Sequence, residues 1–464
     1  MTIPTDLSPF LAAATDLVSG IEPTAIRGRI TQVVGTIAEG SGPPLPLGAR
    51  VLAGEGDRKW ELEVIGFRGR TMLLMPYDFT EGLTPGLPFE SIPAHREIPY
   101  GPGLLGRVID ALGNPLDGKG PLTEVVKRPR TLTSLNPVSR ARIESPLPTG
   151  VRAIDSCLTI GKGQKIGIFS GSGVGKSVLL GMVARNTAAD VNVIALIGER
   201  GKEVLEFIQN DLGEAGLGRS VLVVVTSDES PLKRLKAAQL ATAIAAQFRN
   251  DGKQVMLMMD SLTRVAHAQR ELGLAVGEPP TSRGYPPSVF AVIPQLLEQA
   301  GPTQEGAVTG IYTVLVEGDD FNEPVADLAR SILEGHIVLS RTLASAGHYP
   351  AIDLLESLSR CFTQIATEDQ RSHAGEVRSL LAQYNEVKDL VQIGAYRPGT
   401  NAETDRMLAR LPQIHAFLRQ TISEGSGYNT TLAKLKEVAQ PPLPTAPLPP
   451  PQMPIRPQGG IARG

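Results

Sequence analysis

The spacing of hydrophobic and polar residues divides most of the chain into three regions. Residues 24–95 hold short apolar runs at regular intervals with Gly and Pro between them, which predicts a small β-barrel. Over residues 96–365, continuous apolar runs alternate with helical patterns, which is typical of a parallel sheet covered on both faces. Residues 366–439 are polar with helical spacing. We therefore predict an α/β chain with an N-terminal β-barrel, a parallel-sheet core and a C-terminal helical domain.

The two ends have patterns of their own. Residues 1–23 are predicted to form a helical arm, because apolar residues of positions 1–20 recur on one side of a helix. This arm either packs on the first domain or docks on a partner. Residues 440–464 are rich in proline and are predicted to be an extended, disordered tail. The tail is a tether or, alternatively, a ligand for a proline-binding groove.

Composition limits the functional class. The 464 residues suffice for about three domains. The net charge of −3 gives no basic field for nucleic acid, so we expect no nucleic-acid partner. Two cysteines, Cys157 and Cys361, lack metal-ligand spacing and suit a reducing compartment. There is no apolar run of membrane-spanning length and no basic leader, so we expect a cytoplasmic protein whose membrane association depends on partners.

The strongest chemical motif lies between a short apolar run and a helical pattern. Residues 170–177 read Ser-Gly-Ser-Gly-Val-Gly-Lys-Ser. Glycines let successive backbone N–H groups surround phosphate oxygens, Lys176 would reach the β- and γ-phosphates, and the Ser177 hydroxyl would hold Mg²⁺. Ser170 replaces the first glycine of the strict pattern, which a small residue tolerates. The predicted nucleotide-binding residues of this loop are Gly171, Ser172, Gly173, Val174, Gly175, Lys176, Ser177 and Val178.

Other candidates follow predicted strands of the same sheet. Asp260 ends an apolar run and is expected to bind Mg²⁺ through a water, although an Asp at a strand end can also cap the next helix. Glu199 and Arg200 follow the run 191–197, where a carboxylate can polarise the attacking water and an arginine can meet the γ-phosphate. By sequence alone this pair is equally consistent with a solvated turn.

Several longer motifs lie in and around the predicted sheet. They are Gly198-Glu-Arg-Gly201, Met259-Asp-Ser-Leu-Thr-Arg264, Ala268-Gln-Arg-Glu271, Gly277-Glu-Pro-Pro280, Gly284-Tyr-Pro-Pro-Ser-Val-Phe290, Glu317-Gly-Asp-Asp320 and Gly335-His-Ile-Val-Leu-Ser-Arg341. Together they resemble one known group, the type III export ATPases of flagella and injectisomes, which are similar to the catalytic subunit of rotary ATP synthases. The resemblance extends from about residue 24 to 435.

The resemblance implies a RecA-like nucleotide domain and a homohexamer with ATP and Mg²⁺ bound at the subunit interfaces. It makes Glu199 the expected catalytic glutamate and Arg360 the expected arginine finger, which reaches the neighbouring subunit's nucleotide. It also implies that Tyr349 packs against adenine. Neither Arg360 nor Tyr349 carries a signal of its own in the sequence. The expected catalytic set is Lys176, Glu199, Arg200, Asp260 and Arg360.

The resemblance further implies Mg²⁺-dependent ATP hydrolysis that energises or assists flagellar type III protein export. Its implied partners are a stalk-type regulator at the N-terminal arm, a central stalk protein, export-gate membrane proteins and chaperone–cargo complexes. The protein would then be cytoplasmic and peripheral at the inner-membrane export apparatus.

Within the group, Thr263-Arg-Val-Ala266 and Gly284-Tyr-Pro-Pro287 favour the flagellar branch, and an injectisome ATPase is the alternative. A non-hydrolysing nucleotide-binding scaffold is a further alternative, which Glu199 disfavours because such subunits typically lack the catalytic carboxylate. A rotary β subunit is disfavoured because the C-terminal region lacks that subunit's acidic run. A hexameric RNA translocase is disfavoured because no aromatic-basic RNA-binding pattern is present.

Overall fold

A computed structural model describes residues 25–93, 97–130, 135–316 and 320–440. The predicted arm over 1–23 and nearly all of the predicted tail over 440–464 lie outside the described residues. Within the described ranges, no helix is both long and apolar enough to cross a bilayer.

The first unit is a closed barrel in which the strands follow the order β1-β2-β5-β4-β3-β6. Inward-facing apolar side chains such as Val51, Leu62, Leu74 and Phe89 fill it and are almost completely buried. Closure of the sheet leaves no unpaired edge, which is how short strands of this kind become stable. The strands are β1 Arg27–Val34, β2 Ile37–Ser41, β3 Arg50–Glu55, β4 Arg58–Arg68, β5 Thr71–Pro76 and β6 Pro88–Ile92.

The second unit is a large sheet with the strand order β17-β16-β10-β15-β13-β11-β12-β8. The strands from β16 to β8 are parallel, β17 is antiparallel to β16, and β14 pairs with β15 off this path. A separate two-stranded sheet joins β7 and β9. The strands are β7 Glu97–Tyr100, β8 Arg107–Ile109, β9 Val126–Pro129, β10 Lys165–Ser170, β11 Val191–Glu199, β12 Ser220–Thr226, β13 Gln254–Asp260, β14 Gly301–Pro302, β15 Ala307–Leu315, β16 Gly335–Leu339 and β17 Ile352–Ser359.

Helices cover both faces of the large sheet, and this explains why its central strands are buried at nearly every position and are mostly apolar. The helices of this unit are α1 Arg152–Cys157, α2 Lys176–Asn186, α3 Gly201–Glu206, α4 Gly213–Leu217, α5 Pro231–Asn250, α6 Leu262–Val276, α7 Pro287–Leu297, α8 Pro324–Ile332, α9 Arg341–Ser345 and α10 Phe362–Ile365. Short 3₁₀ turns lie at Pro102–Leu104, Pro137–Ser139 and Ser282–Gly284.

Three further helices pack on the sheet from the C-terminal side: α11 Glu368–Gln392, α12 Ala402–Leu418 and α13 Tyr428–Ala439. Buried residues of these helices, among them Val377, Met407 and Leu435, share one hydrophobic core with Ile166 and Ile168 of β10. The C-terminal helices contact α1 and β17, and they extend the core that includes the strand leading into the glycine-rich loop.

The predicted α/β fold with its barrel, parallel sheet and C-terminal helices is confirmed. One local detail differs from the sequence pattern. The helical run over residues 202–212 is interrupted, because α3 ends at Glu206 and the chain continues through a wider π-helical turn, Phe207–Leu212. Phe207 and Leu212 of this turn are buried in the core, so the change in winding places both side chains inward.

Candidate active site

The glycine-rich loop connects the buried end of β10 at Ser170 to the first residue of α2, Lys176. Gly173 and Gly175 have φ values of 76° and 92°, which L side chains rarely adopt. Gly175 is the N-cap of α2, so the positive end of that helix faces the loop. This is the arrangement of backbone N–H groups and helix dipole that binds phosphate.

Two carboxylates from neighbouring strands converge on the loop lysine. Lys176 Nζ lies 2.5 Å from Oδ1 of Asp260 and 3.6 Å from Oε1 of Glu199. Asp260 ends β13 and Glu199 ends β11, and both strands run parallel to β10, with β15 between β10 and β13. The carboxyl ends of these strands therefore gather one lysine and two carboxylates at one edge of the sheet.

Asp260 is held in place by a neighbour on β15. The hydroxyl of Thr313 donates a 2.8 Å hydrogen bond to Oδ1, the same oxygen that contacts Lys176. Both contacts use Oδ1, so within the described part of the chain Oδ2 stays available to accept a hydrogen bond. Ser177 follows Lys176 in the chain. Its hydroxyl and the Asp260 carboxylate are both oxygen donors, which Mg²⁺ prefers as ligands.

The surroundings of this cluster shift the pKa of Glu199. Burial raises the pKa of Glu199 to about 7, with a further contribution from the negative charge of Asp260 and an opposing one from Lys176. A carboxylate with a pKa near neutrality can accept a proton at physiological pH and release it again, which is the property of a general base.

A cavity of about 770 Å³ opens beside the loop. Tyr349, which is 45% exposed, contributes one wall, and a Cβ atom added to Gly175 would lie 3.4 Å from its ring. Val178 and Met182 of α2 contribute apolar surface, and the segment Arg419–Glu424 between α12 and α13 forms another wall. The loop, an aromatic face and apolar side chains thus border one space.

Two of the predicted site residues lie elsewhere. The Arg200 side chain is 81% exposed and its guanidinium pairs with Glu203 at 3.4 Å, so it does not join the lysine and its carboxylates. Arg360 follows β17, which is antiparallel, and its amide bonds to the carbonyl of Glu334 at the strand-start edge of the sheet. Arg360 therefore lies at the edge of the sheet opposite to its own glycine-rich loop, which follows the end of β10.

The sequence missed two contributors to the site. Thr313 lies inside an apolar strand, where a threonine signals only β-propensity. The segment Arg419–Glu424 lies more than two hundred residues from the loop and has no recognisable motif. The tertiary packing of α12 and α13 and hydrogen bonds from distant residues bring it to the cavity.

The fold and the loop define a nucleotide-binding enzyme of the ATP synthase class. Residues 150–359 match the ATP synthase alpha/beta family, nucleotide-binding domain, and residues 366–437 match the T3SS EscN ATPase C-terminal domain.

Comparison with individual proteins shows which family within this class of enzymes the chain resembles. The chain is 48% identical to a "Flagellum-specific ATP synthase" of Bacillus subtilis (strain 168), over 88% of this chain and 94% of that protein. It is also 48% identical to a "Type 3 secretion system ATPase" of Xanthomonas euvesicatoria, over 89% and 93% respectively. The solved structure of the assembled ATPase EscN from enteropathogenic E. coli has a TM-score of 0.84 and 42% identity, and covers 89% of this chain and 100% of that one. The chain belongs to the family of flagellar and type III secretion ATPases, which confirms the resemblance and the expected ATPase activity.

Proposed function

We propose that this ATPase works as a homohexamer that hydrolyses Mg²⁺–ATP at its subunit interfaces and energises flagellar type III protein export. The observation that carries the hydrolytic part is the convergence of Lys176, Glu199 and Asp260 at the glycine-rich loop. A nucleotide-binding scaffold has no need for a carboxylate with a pKa near 7 beside the lysine. We also propose that residues 24–95, 96–365 and 366–439 form the barrel domain, the nucleotide-binding domain and the C-terminal helical domain.

In this proposal the loop N–H groups and Lys176 hold the phosphates, and Glu199 orients the attacking water and accepts its proton. Mg²⁺ would be held by the Ser177 hydroxyl and, through a water, by Asp260, and when bound it neutralises charge on the β- and γ-phosphates. The hydrogen bond from Thr313 keeps the Asp260 carboxylate turned toward that position. Tyr349 offers the face on which adenine stacks.

Arg360 would act on the nucleotide of the neighbouring subunit. Its guanidinium is exposed and lies at the edge of the sheet opposite to its own loop. Because it cannot reach the nucleotide bound by its own subunit, this position supports a role between subunits. A guanidinium supplied by a neighbour stabilises charge in the transition state and makes hydrolysis depend on assembly. The structure of the assembled ATPase EscN supports this proposal by similarity. Arg200, which is exposed here, remains a candidate only if assembly turns it toward the phosphates.

The flagellar assignment is favoured by relatives named flagellum-specific ATP synthase in Bacillus, Treponema and Salmonella. EscN has been solved with its central stalk EscO, which supports a central stalk partner for this chain as well. A stalk-type regulator at residues 1–23, export-gate membrane proteins and chaperone–cargo complexes complete the proposed partners, at the inner-membrane export apparatus. The equal identity to the Xanthomonas protein keeps an injectisome role as the second candidate.

One experiment separates the two roles. The chain is expressed in one strain that lacks its flagellar export ATPase and in another that lacks its injectisome ATPase. We expect motility to return in the first strain and no secretion of injectisome substrates in the second. The Glu199→Gln variant, produced at the same level, should restore neither. Secretion without motility would assign the chain to the injectisome, and motility with Glu199→Gln would refute the hydrolytic role of that carboxylate.

A further inference from the structure

The wall of the cavity formed by Arg419–Glu424, here called the strap, is anchored by a single buried side chain from the sheet domain. Arg152 opens α1 and is only 5% exposed. Its Nε donates a 2.7 Å hydrogen bond to the carbonyl of Phe417. Its two terminal nitrogens contact the carbonyl of Arg419 and the carboxylate of Glu424, the first and last residues of the strap.

A second buried residue connects the strap to the tyrosine on the other side of the cavity. The Gln420 amide N–H donates a 2.9 Å hydrogen bond to the carbonyl of Tyr349. The Gln420 side chain accepts a hydrogen bond of 2.9 Å from the backbone N–H of Arg152 and donates one of 2.8 Å to the carbonyl of Gly150. The strap, the start of α1 and the tyrosine backbone therefore form one hydrogen-bonded unit.

The strap also contacts the helix that follows the glycine-rich loop. Arg185, in the last turn of α2, donates a 2.5 Å hydrogen bond to the carbonyl of Ile422. The Ile422 side chain is 50% exposed and borders the cavity opposite the tyrosine. Lys176, Glu199 and Asp260 do not line this cavity, whereas Tyr349 and the strap do. In the proposed site the strap therefore borders the space for the base rather than the space for the phosphates.

We infer that Arg152 is a positioning residue for the nucleotide base: it holds the strap of the C-terminal domain against Tyr349 and so sets the affinity for the base without touching the nucleotide. This inference rests on the proposed nucleotide site. Arginine suits the task because its planar fork reaches two carbonyls and one carboxylate at once. A lysine keeps the charge but cannot make all three contacts.

The test compares Arg152→Lys with a matched control, Arg378→Lys. Arg378 of α11 also joins the C-terminal helices to the sheet domain, by a 2.5 Å hydrogen bond to the carbonyl of Leu354 and a 3.2 Å one to that of Ser357, but it does not border the cavity. For each variant we measure kcat and KM for ATP, the Kd of ADP by calorimetry, and the competitive inhibition constant of inorganic tripolyphosphate, which has no base.

We expect Arg152→Lys to raise the KM for ATP and the Kd of ADP about tenfold, the effect of one or two lost hydrogen bonds to charged groups. Its kcat and the inhibition constant of tripolyphosphate should stay within about twofold of the parent, because chemistry and phosphate binding use other residues. Arg378→Lys should lower the melting temperature while leaving all four constants near the parent values.

Three results would overturn the inference: a parental KM in folded Arg152→Lys, an equal loss of tripolyphosphate binding, or the same rise in KM in Arg378→Lys. If Arg152→Lys does not fold, Glu424→Gln removes the other end of the ion pair and is judged by the same criteria. A Lys176→Ala variant that binds ADP as the parent does would instead refute the nucleotide site itself. Loss of binding in Lys176→Ala with parental binding in Arg152→Lys would refute only the role of Arg152.

Discussion

The ammonium group of Lys176 lies 2.5 Å from the carboxylate of Asp260, which is almost completely buried, and the Lys176 side chain is only 13% exposed. Each charge compensates the other inside the protein, and removing one leaves the other without its partner at a cost that exceeds the value of a surface ion pair. The pair also fixes the position of the lysine at the mouth of the glycine-rich loop. When a nucleotide binds, its phosphates and the Asp260 carboxylate must therefore share the positive charge of Lys176.

Lys176→Ala is expected to abolish turnover and weaken ATP binding, because it removes the fixed positive charge that meets the β- and γ-phosphates. The matched control is Lys253→Ala, an exposed lysine just before β13, at the opposite end of that strand from Asp260. Steady-state ATPase assays and calorimetric titration measure both effects. Parental turnover in Lys176→Ala would contradict the role of the loop.

The raised pKa of Glu199 predicts a pH profile. As a general base Glu199 must be unprotonated, so kcat/KM should increase with pH up to about 7 and level off above it. Glu199→Gln keeps the size of the side chain and should lower turnover roughly 10²- to 10⁴-fold while ATP still binds. The measurement is kcat/KM across the pH range for the parent and for this variant. A profile with no acidic limb near pH 7 would move the base to another group.

The same pKa affects stability with a definite sign. Between the unfolded value of 4.5 and the folded value of about 7, the folded chain holds more protons at Glu199 than the unfolded chain does. The contribution of Glu199 to the free energy of unfolding is therefore full below about pH 4.5 and is lost as the pH rises through 7. Thermal melts of Glu199→Gln should consequently lose less stability than the parent as the pH rises from about 5 to about 8.

Tyr349 allows a test of the base site that leaves the phosphate site intact. Tyr349→Ala should raise the KM for ATP about tenfold or more, because aromatic stacking on a base is worth about 1–3 kcal/mol. Tyr349→Phe is the matched control: it keeps the ring and should retain the parental KM. A parental KM in the alanine variant, or an equal rise in both variants, would remove Tyr349 from the base site.

The sequence predicted the elements of the fold well because strands β10, β11 and β13 are mostly apolar and the loop motif fixes the order strand, turn, helix. It placed Glu199 and Asp260 correctly at strand ends and Lys176 correctly in the loop that leads into a helix. Their meeting at distances of 2.5 and 3.6 Å depends on the strand order, which no local pattern encodes.

The contacts between Arg152 and the strap could not be predicted from the sequence. Arg152 lies in an ordinary helical segment, and its partners lie 265 to 272 residues away. Hydrogen bonds between a side chain and distant carbonyls leave no periodicity, since any residue supplies a carbonyl. Arg360 likewise carries no signal of its own in the sequence, and only the resemblance predicts a role for it.

The last prediction is that activity depends on assembly through Arg360. The loop, Lys176, Glu199 and Asp260 come from one subunit, whereas Arg360 lies at the opposite edge of the same sheet. A monomer should therefore bind ATP but hydrolyse it slowly, and specific activity should rise steeply with protein concentration. Arg360→Ala should remove this rise, with a loss of roughly 10³- to 10⁵-fold in the assembled state, while ATP binding and assembly persist. Arg330→Ala is the control, since Arg330 offers Arg360 only its backbone carbonyl.

Mixing two inactive variants makes the test decisive. Arg360→Ala subunits keep a sound loop and Lys176→Ala subunits keep a sound arginine, so hexamers formed from both contain some interfaces at which a complete loop faces a complete arginine. ATPase activity should return in the mixture in proportion to the number of such interfaces, and it should peak near equal amounts of the two proteins. Co-assembly is established separately by pulling down one variant through a tag on the other. Mixtures that co-assemble and stay inactive, or a dilute monomer with full activity, would show that Arg360 does not act on the neighbouring subunit, because a residue with a purely structural role within its own subunit cannot be complemented by a second chain.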